Sequence, residues 1–347
     1  FKMTTNNQFL KACRKEKTDY TPVWLMRQAG RYMEEYRKIR SKVDFLTMCK
    51  TPDLAAEVTL QPINRIGVDA AIIFADILLP LEPMGIKLEF AKNEGPVINN
   101  PIRTNEDVNA LQLINTDEEL PFLPETIRIV KQELNGKVPL IGFSGAPFTL
   151  ASYIIEGGSS KNYIHAKKMM YNEPETWNRL MGKISDVIIN YLLAQIKAGA
   201  ETVQLFDSWV GCLSTEDYRQ YVLPHSKKII ENIKKEINIP VIHFGTNTTT
   251  LLQSMKEAGG DVIGLDWRIN LDEGWKKIGF DKAVQGNLDP LVLLSNPAEI
   301  EKRVKDILKR ADGRPGHIFN LGHGILPQTP VDNVIALVEM VHNFSGK

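Results

Sequence analysis

One short pattern, repeated three times, constrains the fold of this chain more than any other feature of its sequence. Each copy contains a glycine, an acidic residue two positions later, an apolar run and a closing aspartate, and the copies span residues 67–76, 199–207 and 259–266. Glycine suits the left-handed turn that often ends a helix. Nearly continuous apolar runs are typical of strands that are buried on both faces. The pattern therefore predicts repeated β-α units with parallel strands.

Five further runs bring the number of candidate strands to eight: residues 22–27, 138–142, 240–245, 283–288 and 317–321. Helical segments separate the strands, and residues 174–197 repeat their apolar positions at close to the helical period of 3.6. Eight alternating units predict an α/β fold, a (β/α)8 TIM-type barrel in a single domain over residues 1–347. A doubly wound open sheet is the main alternative. Such sheets usually carry a phosphate-binding motif after the first strand, and neither G-x-G-x-x-G nor G-x-x-x-x-G-K-S/T occurs.

Three segments depart from the repeating pattern. Residues 80–101 hold four prolines, which predicts a loop excursion inside the domain. Residues 138–155 form an uncharged run, but glycine, proline, serine and threonine interrupt it, so we expect a buried strand followed by a loop rather than a membrane span. Residues 1–10 are polar after the first position, which favours a flexible N-terminus and no signal peptide.

Charge and cysteine content exclude several classes of function. Lys and Arg number 42 and Asp and Glu number 42, and this balance is unlike the basic excess of a nucleic-acid binder. Cys13, Cys49 and Cys212 stand far apart without a C-x-x-C motif, so neither a disulfide framework nor a zinc motif is indicated. We therefore expect a soluble cytoplasmic protein with no nucleic-acid or membrane partner.

The predicted barrel directs attention to the carboxyl ends of its strands, where enzymes of this architecture build their active sites. Polar side chains follow most of these ends: Arg27, Arg31, Asp76, Ser144, Tyr153, Asp207, Ser208, His243, Thr246, Asp266, Gln285, Asn287, Asn320 and His323. We interpret this set as the rim of an active site.

Arg27 and Arg31 are the most informative members of this set. Three residues separate them, among them the small Ala29 and Gly30, so both guanidinium groups can face one cavity, where they would match carboxylates in two-point contacts. Residues 11–42 hold ten Lys or Arg against four Asp or Glu, and such an excess attracts a polyanion. The alternatives are that the arginines pair with structural carboxylates and that the basic segment is only a solvated face.

Asp76 and His323 are predicted to act in the same site. Asp76 ends an apolar strand and should be partly desolvated, where it could accept hydrogen bonds from N–H groups or stabilise a cation that develops in a reaction. Capping of the following turn is its alternative role. His323 lies between Gly322 and Gly324 on a pliable loop, which favours a site role, whereas His243 fits a packed strand histidine equally well.

Metal chemistry finds little support in the sequence. Neither an H-E-x-x-H motif nor a His-x-Cys pair with a later cysteine occurs, and the six histidines do not cluster. A magnesium-dependent barrel draws acidic ligands from several adjacent strand ends, yet the third strand ends in Ser-Gly and the fifth in Gly-Thr. We therefore predict a site without a metal ion.

Several of these segments resemble one enzyme family, uroporphyrinogen decarboxylase. Two long signatures carry the likeness, PVWLMRQAGRY at residues 22–32 and GFSGAPFTLASY at residues 142–153 followed by EGG at 156–158. Shorter matches are FADIL at 74–78, QLFDS at 204–208 and NLGHG at 320–324. The resemblance implies a single-domain β/α barrel, usually a homodimer, without metal or organic cofactor. It also implies removal of four acetate carboxyls from uroporphyrinogen III, giving coproporphyrinogen III and CO₂ in haem and tetrapyrrole biosynthesis.

The resemblance also implies roles for individual residues. Asp76 matches the carboxylate that gathers the pyrrole N–H groups and stabilises the reacting ring. Arg27, or a water that it orients, is a candidate proton donor. The positions implied to contact the substrate are Arg27, Gln28, Ala29, Gly30, Arg31, Asp76, Tyr153, Ser208 and His323.

Two other functions remain open at this point. The first is a related barrel enzyme that transfers methyl groups, against which the missing His-x-Cys zinc site argues. The second is a non-catalytic tetrapyrrole carrier that keeps the arginines but releases no CO₂. The presence of Asp76, Tyr153 and His323 argues against such a carrier.

Overall fold

Seven parallel strands follow one another around a curled sheet, in a computed structural model that describes residues 7–91 and 95–346. With two further strands outside this sheet, the described strands in chain order are β1 (Ala71–Ile72), β2 (Leu88–Ala91), β3 (Gly95–Ile98), β4 (Leu140–Gly145), β5 (Thr202–Asp207), β6 (Val241–Gly245), β7 (Val262–Gly264), β8 (Ala283–Gln285) and β9 (His317–Ile318). The curled sheet has the order β1-β4-β5-β6-β7-β8-β9, and β2 and β3 form a separate antiparallel hairpin.

Helices separate the strands of the curled sheet, as the repeated β-α pattern predicts. They are α1 (Gln8–Cys13), α2 (Glu34–Arg40), α3 (Phe45–Lys50), α4 (Pro52–Arg65), α5 (Asn105–Ala110), α6 (Thr116–Glu119), α7 (Phe122–Leu134), α8 (Pro147–Glu156), α9 (Ile164–Asn172), α10 (Pro174–Ala198), α11 (Thr215–Tyr221), α12 (Leu223–Glu236), α13 (Leu252–Ala258), α14 (Leu271–Ile278), α15 (Pro297–Ala311) and α16 (Val331–Ser345). None of the helices within the described ranges combines the length and hydropathy needed to span a bilayer.

The eighth strand of the barrel is reduced to a single bridge at Val23. Val23 pairs in parallel with Phe319, and the amide N–H of Asp69 donates to the Val23 carbonyl at 2.8 Å. The segment therefore connects the two edges of the sheet and closes it. It stays short because Pro22 has no N–H and the Val23 N–H is bonded to the Asp69 side chain at 2.8 Å. The predicted (β/α)8 barrel is confirmed, and the open doubly wound sheet is excluded.

Three details of the predicted organisation are corrected. The segment 80–101 contains the β2–β3 hairpin and not only loop, and its Val97 bridges to Gly158. The run 138–155 forms β4 and then passes at once into α8, so the predicted loop is wrong. At the N-terminus, residues 8–10 belong to α1 and Phe9 is fully buried, so the predicted flexible segment does not extend to them, while residues 1–6 lie outside the described part.

The core has two layers, one inside the barrel and one between the barrel and its helices. The inner cluster contains Trp24, Ile242 and Phe244, together with Phe9 and Cys13 of α1, which packs against β8 and β9. Helix α1 therefore closes the end of the barrel opposite the carboxyl ends of the strands. This closure leaves those carboxyl ends as the open mouth of the barrel.

The acidic residue of the repeated sequence pattern has a defined structural role. Each one accepts a hydrogen bond from the first free N–H of the neighbouring strand, which in each case follows a proline: Val23 N to Asp69, Leu140 N to Glu201 and Val241 N to Asp261, at 2.8, 3.2 and 2.8 Å. A basic side chain from a packed helix contacts the same carboxylate: His342, Lys131 and Lys234, at 2.7, 2.6 and 2.7 Å. The pattern thus marks contacts that join adjacent strands at the bottom of the barrel.

Replacing Asp69 with alanine is expected to lower the free energy of unfolding by about 3 kcal/mol, because buried donors lose their acceptor. Asp69 accepts from the Tyr20 hydroxyl at 2.9 Å as well as from the Val23 N–H. Urea unfolding measures the difference. Glu231→Ala, which removes an exposed helical carboxylate, is the control and should change stability by no more than about 0.5 kcal/mol. Equal effects of the two variants would contradict the strand-joining role.

Candidate active site

A cavity of about 850 Å³ opens at the carboxyl ends of the strands, and every residue that the family resemblance implied for the site lines it. These residues come from distant parts of the sequence. They are Arg27, Gln28, Ala29, Gly30 and Arg31 after the bridge at Val23, Asp76 after β1, Tyr153 on α8, Ser208 after β5, and His323 after β9. The structure therefore brings the residues implied by the resemblance together in one cavity. The volume is within the range of sites that enclose a small molecule.

Arg27 and Arg31 both reach the cavity with exposed side chains. Neither forms an ion pair with a carboxylate of residues 7–91 or 95–346, so pairing with structural acids does not account for them. Arg27 has a left-handed backbone with φ of 60°, a conformation that costs energy in a residue other than glycine. A Cβ atom on Gly324 would lie 2.4 Å from Cδ of Arg27, so the glycine makes room for the arginine side chain.

The turn between the two arginines presents backbone donors. The amide N–H groups of Ala29 and Gly30 make no hydrogen bond within the described part of the chain. Gln28 differs, because its side chain accepts from the Leu25 N–H at 3.1 Å and donates to the Ala70 carbonyl at 3.0 Å. Gln28 thus shapes the turn with its side chain, and the N–H groups of Ala29 and Gly30 remain available to an anion.

Asp76 lies in the cavity wall at the end of the β1 segment. Its Oδ1 accepts a hydrogen bond from the Leu78 N–H at 2.8 Å, so the turn-capping role considered from the sequence is present as well. Burial raises the pKa of Asp76 from 3.8 to about 6, although the Leu78 N–H and the positive charge of Arg27 oppose the increase. Among the described residues that line the cavity, Asp76 has the one acidic side chain. Near neutral pH it is a carboxylate with unused hydrogen-bonding capacity.

His323 is held in its neutral form. Burial lowers the pKa of His323 to about 4, and the positive charges of Arg27 and Arg268 lower it further. A neutral imidazole carries one donor and one acceptor nitrogen, so His323 can bond to a polar group without adding charge. Burial also raises the pKa of Tyr153, so its hydroxyl keeps its proton at neutral pH.

Sequence reasoning missed most of the apolar wall of the cavity and one of its cations. Aromatic residues from separate elements form the wall: Phe45, Phe74, Phe90, Phe143, Phe206 and Phe244. Phe90 belongs to the hairpin that the sequence left as a loop, and its ring meets that of Phe45 edge to face at 4.8 Å. Arg40, at the end of α2, also lines the cavity. The basic segment 11–42 was the available signal for Arg40.

Several predicted rim residues lie outside the cavity: Ser144, Asp207, His243, Thr246, Asp266, Gln285, Asn287 and Asn320. Successive side chains along a strand point to opposite faces of the sheet. Those on the outer face point to the helices, and some of those on the inner face lie in the barrel interior rather than in the cavity. Gln285, for example, is buried inside the barrel, where it accepts from Trp24 and donates to Gln204. Asp266 accepts from the N–H groups of Asn247 and Arg268.

In the part of the chain that the structure describes, the cavity thus combines three arginines, free backbone N–H groups and one carboxylate with an aromatic wall. Such a site suits a flat, largely apolar ligand that carries several carboxylates, because guanidinium groups bind carboxylates in two-point contacts and aromatic rings pack against apolar faces. Within the described ranges, no three His, Cys, Asp or Glu side chains are arranged to hold a metal ion.

Comparison with known proteins assigns the chain to a family. The family model described as uroporphyrinogen decarboxylase (URO-D) matches residues 4–344. The chain belongs to the uroporphyrinogen decarboxylase family. A uroporphyrinogen decarboxylase of Carboxydothermus hydrogenoformans is 62% identical over 341 residues, 98% of this chain and 97% of that protein. One of Sorangium cellulosum is 56% identical over 338 residues, 97% of this chain and 96% of that protein.

Solved structures show how widely the family's fold is shared. A methyltransferase from Methanosarcina mazei has a TM-score of 0.82 at 20% identity, covering 99% of each chain. A putative B12-independent methionine synthase from Listeria monocytogenes has a TM-score of 0.57 at 12% identity, covering 96% of this chain and 98% of that one. At these identities the likeness concerns the fold alone, so the residues of the cavity must discriminate between activities.

Proposed function

We propose that this chain decarboxylates uroporphyrinogen III in the described cavity, removing its four acetate carboxyls to give coproporphyrinogen III and CO₂. The observation that carries the proposal is that Arg27 and Arg31, which form no ion pair with a described carboxylate, share the wall of one cavity with the carboxylate of Asp76. A tetrapyrrole with acid side chains needs both: cations around its edge and an acceptor for its inner N–H groups.

The electron pair that CO₂ leaves behind determines which chemistry the reaction needs. A pyrrole acetate cannot lose CO₂ until that pair has an acceptor. Protonation of the adjacent ring carbon creates a cationic ring, and the C–C bond to the carboxyl then breaks with its electrons neutralising that cation. The exocyclic CH₂ group that remains takes up a proton and becomes the methyl group, and the ring carbon releases the first proton, which restores the aromatic pyrrole. Each decarboxylation thus consumes one proton in total. The substrate thus serves as its own electron acceptor, and the chemistry draws on no cofactor.

In this proposal Asp76 stabilises the cation as it forms. Its carboxylate accepts hydrogen bonds from the pyrrole N–H groups, which become more acidic as the ring gains positive charge. A fixed negative charge in a site shielded from water lowers the energy of such a transition state strongly. Burial at the cavity wall, which raises the pKa of Asp76, also makes this charge effective.

The arginines hold the carboxylates that do not react. Arg27 and Arg31 bind acetate and propionate groups of the substrate, together with the N–H groups of Ala29 and Gly30. We assign delivery of the ring proton to a water oriented by Arg27, because guanidinium itself is a poor acid at neutral pH. The left-handed backbone of Arg27, placed against Gly324, fixes the position of this side chain.

The test is anaerobic incubation with enzymatically generated uroporphyrinogen, followed by chromatography of the oxidised products. The proposal predicts species that have lost one to four carboxyls, ending in coproporphyrin. Tight binding of the tetrapyrrole with no loss of carboxyl would show a carrier and contradict the proposal. Transfer of a methyl group, with no decarboxylation, would favour the related barrel methyltransferase.

The rate should depend on pH through Asp76. With a pKa of about 6, Asp76 is mostly protonated at pH 5 and mostly charged at pH 7, and only the charged form stabilises the cation. We expect kcat/KM to rise about tenfold between these two pH values, since this parameter reports ionisations of the free enzyme and substrate. The residual activity of Asp76→Asn should lack this inflection. An unchanged inflection in that variant would assign it to another group.

We propose two further properties, a cytoplasmic location and a homodimeric assembly. Cys13, Cys49 and Cys212 are free thiols, and Cys13 and Cys49 are buried, which is compatible with a reducing, cytoplasmic location. A homodimer is proposed from family membership. Light scattering at several protein concentrations tests the dimer.

A further inference from the structure

A buried carboxylate lies directly behind the cavity, on the helix side of the barrel wall. Asp207 ends β5, immediately before Ser208, and is fully buried. Its Oδ1 accepts a hydrogen bond from the Thr149 hydroxyl at 3.0 Å, whereas its Oδ2 has no partner in the described part of the chain. A buried carboxylate with one hydrogen bond is costly unless another group completes its environment.

A second unsatisfied group faces the same carboxylate oxygen. His243 on β6 is fully buried, and neither of its ring nitrogens has a hydrogen-bond partner among the described residues. Its neighbours Ile242 and Phe244 belong to the barrel interior, so His243 points to the helices, as Asp207 does. His243 Nε2 lies 3.9 Å from Asp207 Oδ2, which is too long for a direct hydrogen bond.

A third buried polar group, Tyr218, interacts electrostatically with Asp207. Tyr218 on α11 is fully buried, and its hydroxyl has no hydrogen-bond partner among the residues that the structure describes. Burial raises the pKa of Tyr218, and the negative charge of Asp207 raises it further. Buried water molecules in proteins typically hydrogen-bond polar groups that otherwise lack partners.

We propose that one ordered water molecule binds between Asp207 Oδ2 and His243 Nε2, and that this buried pair, through Thr149, positions the turn that carries Ser208. The water supplies the hydrogen bonds that the two side chains lack and holds the Asp207 carboxylate in one orientation. Asp207 and His243 are then positioning residues and do not touch the substrate. The catalytic consequence rests on the function proposed above, whereas the water site does not.

A chain of contacts connects the pair to the cavity. The Thr149 hydroxyl donates to Asp207 and accepts from the Trp209 N–H at 3.3 Å, so it spans the turn on both sides of Ser208. The Trp209 ring packs edge to face against Tyr153, with centroids 5.9 Å apart. Movement of the Thr149 hydroxyl would thus displace two predicted substrate contacts, Ser208 and Tyr153.

Substitution of Thr149 tests the positioning role. Thr149→Val keeps the shape but removes the hydroxyl, and we expect kcat/KM to fall about 10- to 100-fold, as misplacement of binding groups predicts. Thr149→Ser keeps the hydroxyl and should stay within about twofold of the parent, on the same principle. Ser152→Ala on the same helix removes another buried hydroxyl, which donates to the Phe148 carbonyl at 2.7 Å, and controls for lost stability. Equal kinetics for Thr149→Val and Ser152→Ala, with equal losses in Tm, would overturn the positioning role.

A high-resolution crystal structure of the unaltered protein tests the water site independently of activity and of any variant's folding. The proposal predicts an ordered water within about 3.2 Å of both Asp207 Oδ2 and His243 Nε2. A dry gap or a direct contact between the two side chains would overturn it. Failure of the parent protein to decarboxylate uroporphyrinogen would instead contradict the proposed function, and the crystallographic result would still decide the water site.

Discussion

Asp76→Asn is expected to lower kcat by about 100- to 1,000-fold while leaving the fold intact, in line with the loss of one preorganised charged group from an active site. Asparagine is nearly the same size as aspartate, so it fills the same space in the cavity wall. It carries no charge, however, and therefore cannot stabilise the cationic ring. Anaerobic rates with uroporphyrinogen, measured at saturating substrate, give the effect on kcat.

Stability provides an internal check on this variant. The pKa of Asp76 is higher in the folded chain, about 6, than its ordinary value of 3.8, so the folded state binds more protons between these values. The raised pKa means that the charged form costs stability, and this cost develops as pH rises through about 6. Asp76→Asn should therefore be at least as stable as the parent at pH 7 to 8.

A neighbouring carboxylate provides the matched control. Glu82 adds to the negative potential at Asp76 but does not line the cavity, and it pairs with Lys50 at 2.7 Å. Glu82→Gln should retain turnover within a few-fold of the parent. Near-parental decarboxylation by Asp76→Asn would rule out the proposed role of Asp76, and equal losses in the two variants would reduce that role to general electrostatics.

Arg31→Ala is expected to lower kcat/KM for uroporphyrinogen by about 10- to 100-fold, the equivalent of one or two charge-assisted hydrogen bonds. Arg31 has no carboxylate partner within the described ranges, so its removal leaves no buried charge behind. Tm should therefore change little. Arg31→Lys, which keeps the charge but loses the forked geometry, is expected to fall between the parent and the alanine variant.

Lys38→Ala separates specific binding from general attraction. Lys38 belongs to the same basic segment but is exposed on α2, where it pairs with Glu34 at 2.8 Å and does not line the cavity. The substitution Lys38→Ala removes the same unit of positive charge as Arg31→Ala. It should leave kcat/KM within about twofold of the parent value, because exposed charges are screened by salt. Unchanged kinetics in Arg31→Ala together with a lower Tm would make Arg31 a structural residue of the rim.

The barrel could be predicted because its sequence pattern has a direct structural cause. The acidic residues of the repeat, Asp69, Glu201 and Asp261, each bind the first free N–H of a neighbouring strand. The repeated sequence pattern therefore marks places where a carboxylate joins two adjacent strands. The hairpin at 88–98 has no such repeat, and the four prolines of the segment 80–101 favoured a loop, so the contribution of Phe90 to the cavity could not be foreseen.

The site could be predicted only in part, because the end of a strand does not fix which way a side chain points. Asp207 and Ser208 are adjacent, yet Ser208 lines the cavity and Asp207 lies behind the barrel wall. Arg27 illustrates a second limit. Its orientation depends on a left-handed backbone and on Gly324, which lies almost 300 residues away, so only the folded chain shows that it faces Asp76's cavity.

The most direct measurement is a crystal structure of this chain with coproporphyrinogen bound under anaerobic conditions. The account predicts the macrocycle in the cavity, with the Asp76 carboxylate within about 3.2 Å of pyrrole nitrogens and the guanidinium groups of Arg27 and Arg31 at its carboxylates. A macrocycle whose nitrogens point away from Asp76, or whose carboxylates bind elsewhere than these arginines, would contradict it.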